Sequence, residues 1–372
     1  TTNRTGMALS RAVKDVFIVS AKRTAFGTYG GKLTGKTATD LMEVAAKAAL
    51  QAGNVNPETI NSVVIGNVLQ SAADTPYIAR HVGLRCGVPI PVPAYTVNRL
   101  CGSGFQAIVN GAQEIMLGDC SIVLVGGSDN MSQAPYSVRN IRFGTKLGQE
   151  LKLEDTMWAA LTDSHTGLPM AITAENLAEQ YKITREDCDK YACQTQARWK
   201  QAQDSGVFKA EIAPMEVKGK KGMEVFEVDE HPRPQTTMES LGKLPAIFKK
   251  GGTVSAGNAS GVCDGAAALV LANEQAIKAH NLKPLARLVA YGVSGCDPKI
   301  MGIGPAPASR AALKAAGKDL SDMEIVDVNE AFAPQYLAVA KELGLNNDIS
   351  NMAGGAIALG HPLGASGARI TG

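Results

Sequence analysis

Short apolar runs alternate with longer amphipathic segments along the first part of the chain. Three of the short runs have the length and the β-branched content of buried strands: residues 15–21, 62–68 and 121–126. Residues 38–53 carry apolar side chains at helical spacing, and either Thr37 or Thr39 would cap this helix. Residues 102–117 are apolar on every side, which is typical of a buried helix. The alternation predicts an α/β fold with a covered sheet.

The pattern changes between residues 132 and 250, where the chain becomes polar, charged and interrupted. This polar, interrupted composition predicts a cap inserted into the first domain, with helices at residues 170–181 and 184–205. Apolar patterning resumes at residue 253 and predicts a further buried strand at residues 267–272.

The second half of the chain repeats the order of the first. It predicts, in turn, a strand, an Ala-rich helix, a strand and a glycine-rich turn at residues 285–294, 307–316, 324–328 and 354–367. We interpret this as a duplicated α/β unit, with one domain at residues 12–273, including the cap at 132–250, and a second at residues 281–372. A pseudo-two-fold relation between the halves would bring Cys101 and His361 to one site.

Composition limits the class of protein. Glycine accounts for 39 of 372 residues and charged residues for only 19%, against about 25% in an average protein, which suits closely packed backbones. The formal net charge of +2 gives no indication of a nucleic-acid-binding surface. The longest stretch without a charged residue, 349–368, contains five glycines and a proline, so no transmembrane segment is expected. The seven cysteines include no CxxC pair and indicate neither a disulfide framework nor a metal site.

A cysteine lies at the start of the predicted buried helix, in the sequence NRLCGSGF at residues 98–105. The N-terminus of a helix carries partial positive charge and free N–H groups, which would lower the pKa of the Cys101 thiol toward neutrality and favour the reactive thiolate. The neighbouring glycines would let a thioester approach the backbone. A cysteine that only fills space is the alternative, but the glycines and the helix N-terminus favour a nucleophile.

A histidine lies in a second glycine-rich segment, GGAIALGHPLG at residues 354–364. Between Gly360 and Pro362, the imidazole of His361 would be rigidly presented. Beside an activated cysteine, such an imidazole accepts the thiol proton and pairs with the thiolate. The glycine spacing matches neither a P-loop nor a dinucleotide-binding loop.

Two further segments carry polar groups toward this candidate site. Asn329, in VNEAFA at residues 328–333, is equally suited to cap a helix and to orient a water or a histidine near a developing oxyanion. The small residues of VSAGNASG, at 254–261, suit either a tight turn or a narrow channel for a slender ligand. Basic residues of the cap would meet phosphates or lie in a solvated loop: Lys218, Lys220, Lys221 and Arg233.

Together, residues 98–105, 329–333 and 354–364 resemble the three signature blocks of the thiolase family in order and spacing, and the similarity extends over nearly the whole chain. Three further segments are similar to the mitochondrial branch of this family that acts on 3-ketoacyl-CoA: residues 142–148, 170–176 and 294–304. The resemblance implies a five-layer αβαβα fold of two similar halves, with the cap inserted in the first.

The resemblance also implies the site residues and the chemistry. Cys101 would be the nucleophile that becomes acylated, His361 its base, and Asn329 the holder of a water in an oxyanion hole. Five residues would line the site of coenzyme A and its pantetheine arm: Arg233, Thr236, Ser240, Lys243 and Ser260. The implied reaction is cleavage of a 3-ketoacyl-CoA by coenzyme A into acetyl-CoA and a shortened acyl-CoA in fatty-acid β-oxidation, with a Claisen condensation as its reverse. Coenzyme A is then a co-substrate, no permanently bound cofactor or metal is expected, and a homodimer or homotetramer is implied.

One feature of the family is not found before the end of the chain. Thiolases have a second catalytic cysteine, in a CxGGGxG block beyond the position of His361. The helix after His361 has only begun at Gly372, whereas the helix after Cys101 leads on to a strand. We therefore expect the second domain to be incomplete at its C-terminus, and the 372-residue polypeptide to fold poorly and to lack thiolase activity without this acid–base group. Turnover of acetoacetyl-CoA by this polypeptide would contradict that expectation.

Residues 1–14 carry Arg4, Arg11 and Lys14 without an acidic residue, which is typical of a weak mitochondrial address or of an unstructured start. Met7 lies where the resemblance places a start codon, and that branch keeps its N-terminus as an uncleaved address. The resemblance thus implies a location in the mitochondrial matrix.

Three alternatives remain open. An acetoacetyl-CoA-forming acetyl-CoA acetyltransferase would share the fold and the chemistry but prefer the shortest substrate. A condensing enzyme of fatty-acid or polyketide synthesis is disfavoured by the Asn-Glu-Ala-Phe block at residues 329–332. A non-catalytic, thiolase-like lipid-binding protein is disfavoured by the presence of Cys101, His361 and Asn329.

Overall fold

The computed structural model describes residues 8–219 and 222–372. Its strands are β1 (Leu9–Ala12), β2 (Phe17–Thr24), β3 (Gly27–Thr28), β4 (Ser62–Gly66), β5 (Ala94–Val97), β6 (Ile122–Asn130), β7 (Tyr136–Val138), β8 (Leu153–Asp155), β9 (Thr162–Asp163), β10 (Leu168–Pro169), β11 (Ile212–Ala213), β12 (Met215–Gly219), β13 (Gly222–Phe226), β14 (Cys263–Ala272), β15 (Ala286–Arg287) and β16 (Ala290–Val293). Its α-helices are α1 (Ala38–Ala52), α2 (Ile78–Arg85), α3 (Ser103–Leu117), α4 (Thr156–Ala160), α5 (Met170–Tyr181), α6 (Arg185–Ser205), α7 (Met238–Gly242), α8 (Glu274–Ala279), α9 (Pro305–Ala316), α10 (Ala333–Leu343), α11 (Ala356–Leu359) and α12 (Leu363–Thr371). The proposed start at Met7, the residues before it, and the basic pair Lys220 and Lys221 lie outside the described residues.

Eight strands form one mixed sheet with the order β11-β2-β14-β6-β4-β5, in which β15 also pairs with β2 and β3 with β14. Strand β4 runs parallel to both β5 and β6, whereas β14 runs antiparallel to β2 and β6. Every residue of β6 and β14 is buried. Burial of both faces explains why these strands appear in the sequence as nearly continuous apolar runs.

Helices cover both faces of this sheet. Successive side chains of a strand point to opposite faces, so Leu124 and Val125 of β6 belong to two different apolar clusters. On one side Leu124 shares its cluster with Met42 of α1, and on the other Val125 shares its cluster with Ile108 of α3. The predicted covered sheet is therefore present. Among the described residues, no helix combines the length and the hydropathy needed to cross a membrane.

The two helices predicted in the first half are present as α1 and α3. The structure decides which residue caps α1 and corrects the predicted burial of α3. Thr37, and not Thr39, caps α1, because its side chain accepts a hydrogen bond from the N–H of Asp40 while the Asp40 carboxylate accepts one from the N–H of Thr37. The prediction that the helix at residues 102–117 is buried on every side is wrong. Phe105 is 39% exposed and Leu117 is 72% exposed, so one flank of α3 faces outward.

The second half departs further from the predicted repeat. The expected strand at residues 324–328 is replaced, within the part of the chain that the structure describes, by a single bridge between Val326 and Ser350. Ile325 is 64% exposed, so the apolar pattern there does not mark a buried strand. The expected strand at residues 285–294 is divided, because β15 pairs with β2 while β16 pairs with β1.

The cap contains the two predicted helices, α5 and α6. Helix α6 begins after Thr184, whose side chain completes a reciprocal hydrogen-bonding pair with Asp187. The aromatic ring of Tyr191 on α6 stacks on that of Tyr336 on α10, with ring centroids 4.2 Å apart. These contacts attach the cap helices to the segment that follows Asn329.

A buried ion pair ties the end of the cap to the sheet. The guanidinium of Arg23 on β2 donates to both carboxylate oxygens of Asp229, at 2.7 and 3.0 Å, and Asp229 also accepts the N–H of Phe26 at 2.8 Å. Burial opposes the charge on Arg23, but the carboxylates of Asp229 and Glu211 outweigh it and hold the pKa of Arg23 above its ordinary value. Asp229 is thus the main compensation for a cation enclosed in the core.

We expect an Asp229→Ala variant to lose about 3–5 kcal/mol of unfolding free energy, because it leaves the buried Arg23 charge without its main partner. Glu211 contacts the same guanidinium at 3.1 Å but its side chain is 26% exposed, so Glu211→Ala is the matched control, with an expected loss of about 0–1 kcal/mol. Urea unfolding of the three proteins measures both values. Equal losses in the two variants would show that burial of the pair is not what matters.

Candidate active site

The loop that carries Cys101 is a strained turn fixed by short-range hydrogen bonds. Leu100 has a φ of 47°, a left-handed conformation that non-glycine residues rarely adopt. The hydroxyl of Ser103 accepts the N–H of Arg99 at 2.8 Å and donates to the carbonyl of Leu100 at 2.6 Å, and the side-chain oxygen of Asn98 accepts the N–H of Leu100 at 2.9 Å. The polar residues of the NRLCGSG segment therefore impose the conformation that presents Cys101 just before α3.

The surroundings of Cys101 correct one prediction. The half-buried residue packs against an apolar cluster that includes Val68, Met131 and Leu363. Burial raises the pKa of its thiol to about 11; a backbone N–H opposes this rise, and the charge of Asp129 adds to it. The expectation that the helix N-terminus lowers the thiol pKa toward neutrality is therefore wrong, because desolvation outweighs the helix. In the resting protein Cys101 is a thiol and needs a base.

His361 is presented by the turn between α11 and α12. Gly360 has a φ of 100° and a ψ of 169°, a combination that L side chains rarely adopt, so the turn requires glycine there. The N–H of His361 donates to the carbonyl of Gly261 at 3.0 Å. This bond places the imidazole beside the small-residue turn at 254–261, and the side chain is only 5% exposed.

Ser366 determines which nitrogen of His361 carries the proton. The Ser366 hydroxyl donates to the carbonyl of Pro362 at 3.0 Å, and its oxygen lies 2.6 Å from Nδ1 of His361. Because a hydroxyl has a single proton, we assign Nδ1–H of His361 as the donor to Ser366. Nε2 then holds the lone pair and is the nitrogen able to accept a proton.

The charge state of His361 suits a base. Burial and the positive charge of Arg369 lower the pKa of His361 to about 4, so the imidazole is neutral at physiological pH. A neutral imidazole accepts a proton from a thiol of much higher pKa only when the thiolate begins to be consumed or stabilised. The two pKa shifts thus favour proton transfer during attack over a permanent thiolate–imidazolium pair.

Asn329 lies at His361 and is not a helix cap. Its amide nitrogen is 3.4 Å from Nε2 of His361, whereas the residue that caps α10 is Phe332. The buried Asn329 Oδ1 accepts no hydrogen bond from any other described residue. The amide of Asn329 can therefore form a hydrogen bond with a further group at the site.

Close backbone contact brings the loop of Cys101 and the turn of His361 together. A side chain on Gly104, at the start of α3, would begin 2.7 Å from the carbonyl oxygen of Gly364 on α12. Leu363 packs in the same apolar cluster as Cys101. The predicted meeting of the two glycine-rich segments is therefore seen as packing of the N-terminal ends of α3 and α12.

The five candidate coenzyme A residues fall into two places. Four lie on the exposed part of the cap around α7: Arg233, Thr236, Ser240 and Lys243. There, Arg233 donates to backbone carbonyls, including that of His231 at 2.7 Å, and Lys243 pairs with Glu239 at 2.6 Å. Ser260 lies apart, half-buried, and its N–H donates to the carbonyl of Ala331 at 3.0 Å. Ser260 thus adjoins the Asn329 segment.

Three residues of this region were not predicted from the sequence. Ser366 orients His361, and His231 supports the same turn, since its Nδ1 lies 2.8 Å from the carbonyl of Ala358. No local signal marks either residue. Asp129 is fully buried near the end of β6, three residues beyond the predicted strand at 121–126, and the sequence alone does not show that the strand continues that far.

Both halves of the chain match models of one protein family. Residues 16–275 match the model of the thiolase N-terminal domain, and residues 282–372 match that of the thiolase C-terminal domain. The chain belongs to the thiolase family. The resemblance seen in the three signature segments is thereby confirmed.

Individual thiolases are similar over nearly the whole chain. A protein named mitochondrial 3-ketoacyl-CoA thiolase, from Homo sapiens, is 65% identical over 98% of this chain and 91% of its own length. The crystal structure of the human mitochondrial enzyme in complex with CoA has a TM-score of 0.95 at 64% identity, covering 97% of this chain and 91% of that one. The acetyl-CoA acetyltransferase of Bacillus anthracis has a TM-score of 0.93 at 43% identity, with the same coverage. The predicted α/β thiolase fold is confirmed.

Proposed function

We propose that the chain cleaves 3-ketoacyl-CoA with coenzyme A to acetyl-CoA and a shortened acyl-CoA in mitochondrial fatty-acid β-oxidation. The observation that carries this proposal is the imidazole of His361, whose Nδ1 is bonded to Ser366 and whose turn packs against the loop of Cys101. Its lowered pKa leaves Nε2 able to accept a proton. The relative named mitochondrial 3-ketoacyl-CoA thiolase supports the substrate class and the location, which we place in the matrix.

In the first step, the thiol proton of Cys101 passes to Nε2 of His361 as sulfur attacks the 3-keto carbon. The bond between C2 and C3 of the substrate then breaks, and its electron pair becomes the enolate of acetyl-CoA. Asn329, directly or through a water, stabilises negative charge on oxygen; one such donor contributes roughly 2.7–4 kcal/mol. We propose that the His361 imidazolium returns the proton to the enolate carbon, in place of the second cysteine that the resemblance implies, so that acylation does not require that cysteine; this replaces the expectation of an inactive polypeptide. Acetyl-CoA then leaves, and Cys101 remains acylated.

In the second step, the thiol of coenzyme A attacks the acyl-cysteine. His361 accepts the thiol proton and transfers it to the departing Cys101 sulfur, which releases the shortened acyl-CoA.

We propose coenzyme A as a co-substrate held by the five predicted residues: Arg233, Thr236, Ser240, Lys243 and Ser260. The cations and hydroxyls on the cap suit phosphates, and Ser260, beside the Asn329 segment, suits the pantetheine arm.

We also propose the predicted division into a domain at residues 12–273, with the cap at 132–250, and a domain at residues 281–372. The ranges matched by the two family models, 16–275 and 282–372, support it.

A homodimer or homotetramer is proposed as well. Strand β5 lies at the edge of the main sheet with partly exposed residues, which suits pairing with another subunit.

A single-turnover experiment tests the proposed reaction. The protein is incubated with C4, C8 and C16 3-ketoacyl-CoAs without free coenzyme A, and intact mass and released acetyl-CoA are followed together. We expect one acyl group on Cys101 per acetyl-CoA released, with the C8 and C16 substrates included. Acylation by the C4 substrate alone would favour the acetoacetyl-CoA-forming alternative, and a protein that binds acyl-CoA but is never acylated would contradict the proposal.

A further inference from the structure

A carboxylate lies buried between the two loops of the candidate site. Asp129 belongs to β6, one of the two central strands of the sheet, and is 0% exposed. Burial of a carboxylate is costly unless hydrogen bonds compensate it. The partners of its two oxygens come from different parts of the chain, and these are the parts that hold Cys101 and His361.

One oxygen of Asp129 holds the loop that follows β4. Oδ1 accepts the side-chain N–H of Asn67 at 3.1 Å and the backbone N–H groups of Val68 and Leu69 at 3.2 and 2.9 Å. The carbonyl of Val68 in turn accepts the Asn98 amide of the Cys101 loop at 3.2 Å. Leu69 packs in the same apolar cluster as Cys101. This oxygen therefore supports the loop of the nucleophile.

The other oxygen of Asp129 holds the turn of His361. Oδ2 accepts the N–H of Gly364 at 2.6 Å, in the first turn of α12. A side chain on Gly364 would begin 2.8 Å from the same oxygen, so the two groups are in close contact. His361 lies three residues before Gly364 and is tied to Ser366 in the same helix. Movement of the Gly364 N–H would thus move the imidazole.

We propose that Asp129 is a positioning residue that fixes the loop of Cys101 against the turn of His361, and that its negative charge adds to the burial that keeps Cys101 protonated. The positioning role rests on the proposed function, because the alignment of Cys101 with His361 can be measured only through the rate of acyl transfer. The second part concerns the thiol alone and can be tested without any substrate.

The charge of Asp129 changes within the physiological range. Burial raises its pKa to about 7, while the N–H groups of Leu69, Gly364 and Val68 oppose this rise and the charge of Asp264, on the neighbouring strand β14, adds to it. Above about pH 7 Asp129 is a carboxylate and raises the pKa of the Cys101 thiol; below it, the neutral acid no longer does so. Among the described residues, the charge of Asp129 interacts with the titratable groups of Asp264 and Cys101.

The substitution Asp129→Asn removes the charge at nearly constant volume. An amide has one acceptor oxygen, whereas two sets of N–H groups point at the carboxylate, so one set loses its acceptor. The matched control is Asp264→Asn. Asp264 is also fully buried and lies on the neighbouring strand, but its oxygens accept from Ser132 and not from either loop of the site.

The test of the charge is the rate at which methyl methanethiosulfonate, a small neutral reagent, modifies Cys101 between pH 5.5 and 8.5. The thiolate displaces methanesulfinate and forms a mixed disulfide, which mass spectrometry of the Cys101 peptide quantifies. Wild-type protein should show a bend near pH 7 in the logarithm of the rate, because ionised Asp129 makes the thiol harder to ionise. Asp129→Asn should show unit slope throughout, equal the wild-type rate below about pH 6, and react roughly three- to tenfold faster above about pH 8.

The Asp264→Asn control distinguishes an effect of the Asp129 charge from a structural change in the site. Asp264→Asn should keep the bend, moved to lower pH because Asp264 no longer raises the pKa of Asp129. A ratio of Asp129→Asn to wild type that is constant with pH would indicate a structural change alone and would overturn the charge proposal. If Asp129→Asn does not fold, the wild-type profile decides, since unit slope across pH 7 is incompatible with the proposal.

Acyl transfer tests the positioning. In the single-turnover reaction with C8 3-ketoacyl-CoA, Asp129→Asn should acylate about 10- to 100-fold more slowly at saturation with little change in KM, because the misplaced groups still bind substrate. Faster thiol modification combined with slower acylation is the signature of the proposal. Undiminished acylation would overturn the positioning role, whereas absence of acylation in wild type as well would overturn only the proposed function.

Discussion

A Cys101→Ala variant is expected to lose acyl-enzyme formation by more than about 10⁴-fold, which is loss to the limit of detection. The proposed reaction forms a thioester to Cys101. The thiol of Cys263 lies against Gly360, but it is fully buried and burial raises its pKa, so we do not expect it to replace the nucleophile. The strained turn at Leu100 and the hydrogen bonds of Ser103 do not involve the thiol, so the fold of the loop should survive the change. Intact mass spectrometry after incubation with C8 3-ketoacyl-CoA measures the loss directly.

Cys193→Ala provides the matched control for this variant. Cys193 is half-buried, as Cys101 is, but it lies on α6 of the cap, away from the two loops of the site. We expect it to acylate at the wild-type rate and to a stoichiometry of one. Acylation that persists in Cys101→Ala but disappears in Cys193→Ala would transfer the nucleophile's role to the cap.

The parts of the site that the sequence predicts are those fixed by neighbours in the chain. The turn of Cys101 is held by Asn98 and Ser103, within a few residues, and that local pattern was readable. The acidity of the thiol was predicted with the wrong sign because it depends on what packs around it. Val68 and Met131, brought from distant segments, supply the burial that outweighs the helix N-terminus.

The same distinction explains the errors in the fold. Strands β6 and β14 are buried throughout and stand out in the sequence as apolar runs. Residues 324–328 contain three β-branched residues and two acidic ones, yet Ile325 is exposed and the segment has a single bridge partner, Ser350. A strand depends on its neighbours for hydrogen bonds, and those neighbours are not encoded in the segment itself.

The role of Ser366 also depends on spatial arrangement, although it lies only five residues from His361. A serine in a short helix gives no functional signal in a sequence. Its role becomes evident only from the structure, where its oxygen lies 2.6 Å from Nδ1 of His361. The hydrogen bond to Pro362 then assigns the tautomer by proton count. This assignment leads to the second large expected effect, at His361.

A His361→Ala variant is expected to acylate Cys101 about 10²- to 10⁴-fold more slowly, since it loses the base that accepts the thiol proton. In wild-type protein the pKa of His361 is lowered to about 4, so the base is neutral above that pH and the acylation rate should be nearly flat between pH 5 and pH 8, falling only as pH approaches 4. Without the base, the rate should follow the thiolate fraction and rise steeply with pH, approaching tenfold per pH unit on either side of the bend that Asp129 produces near pH 7. Acylation rates at saturating C8 3-ketoacyl-CoA across this range distinguish the two profiles.

Ser366→Ala and imidazole rescue show whether the loss comes from the base itself. Ser366→Ala keeps the imidazole but frees its Nδ1, so both tautomers become populated and about a tenfold loss is expected, of the order of one hydrogen bond to the ring. Added imidazole should restore part of the rate in His361→Ala, because it can occupy the space vacated by the ring, and should not affect Ser366→Ala. A His361→Ala variant that keeps the flat wild-type profile would mean that another group takes the thiol proton, and the assignment of His361 as the base would fail.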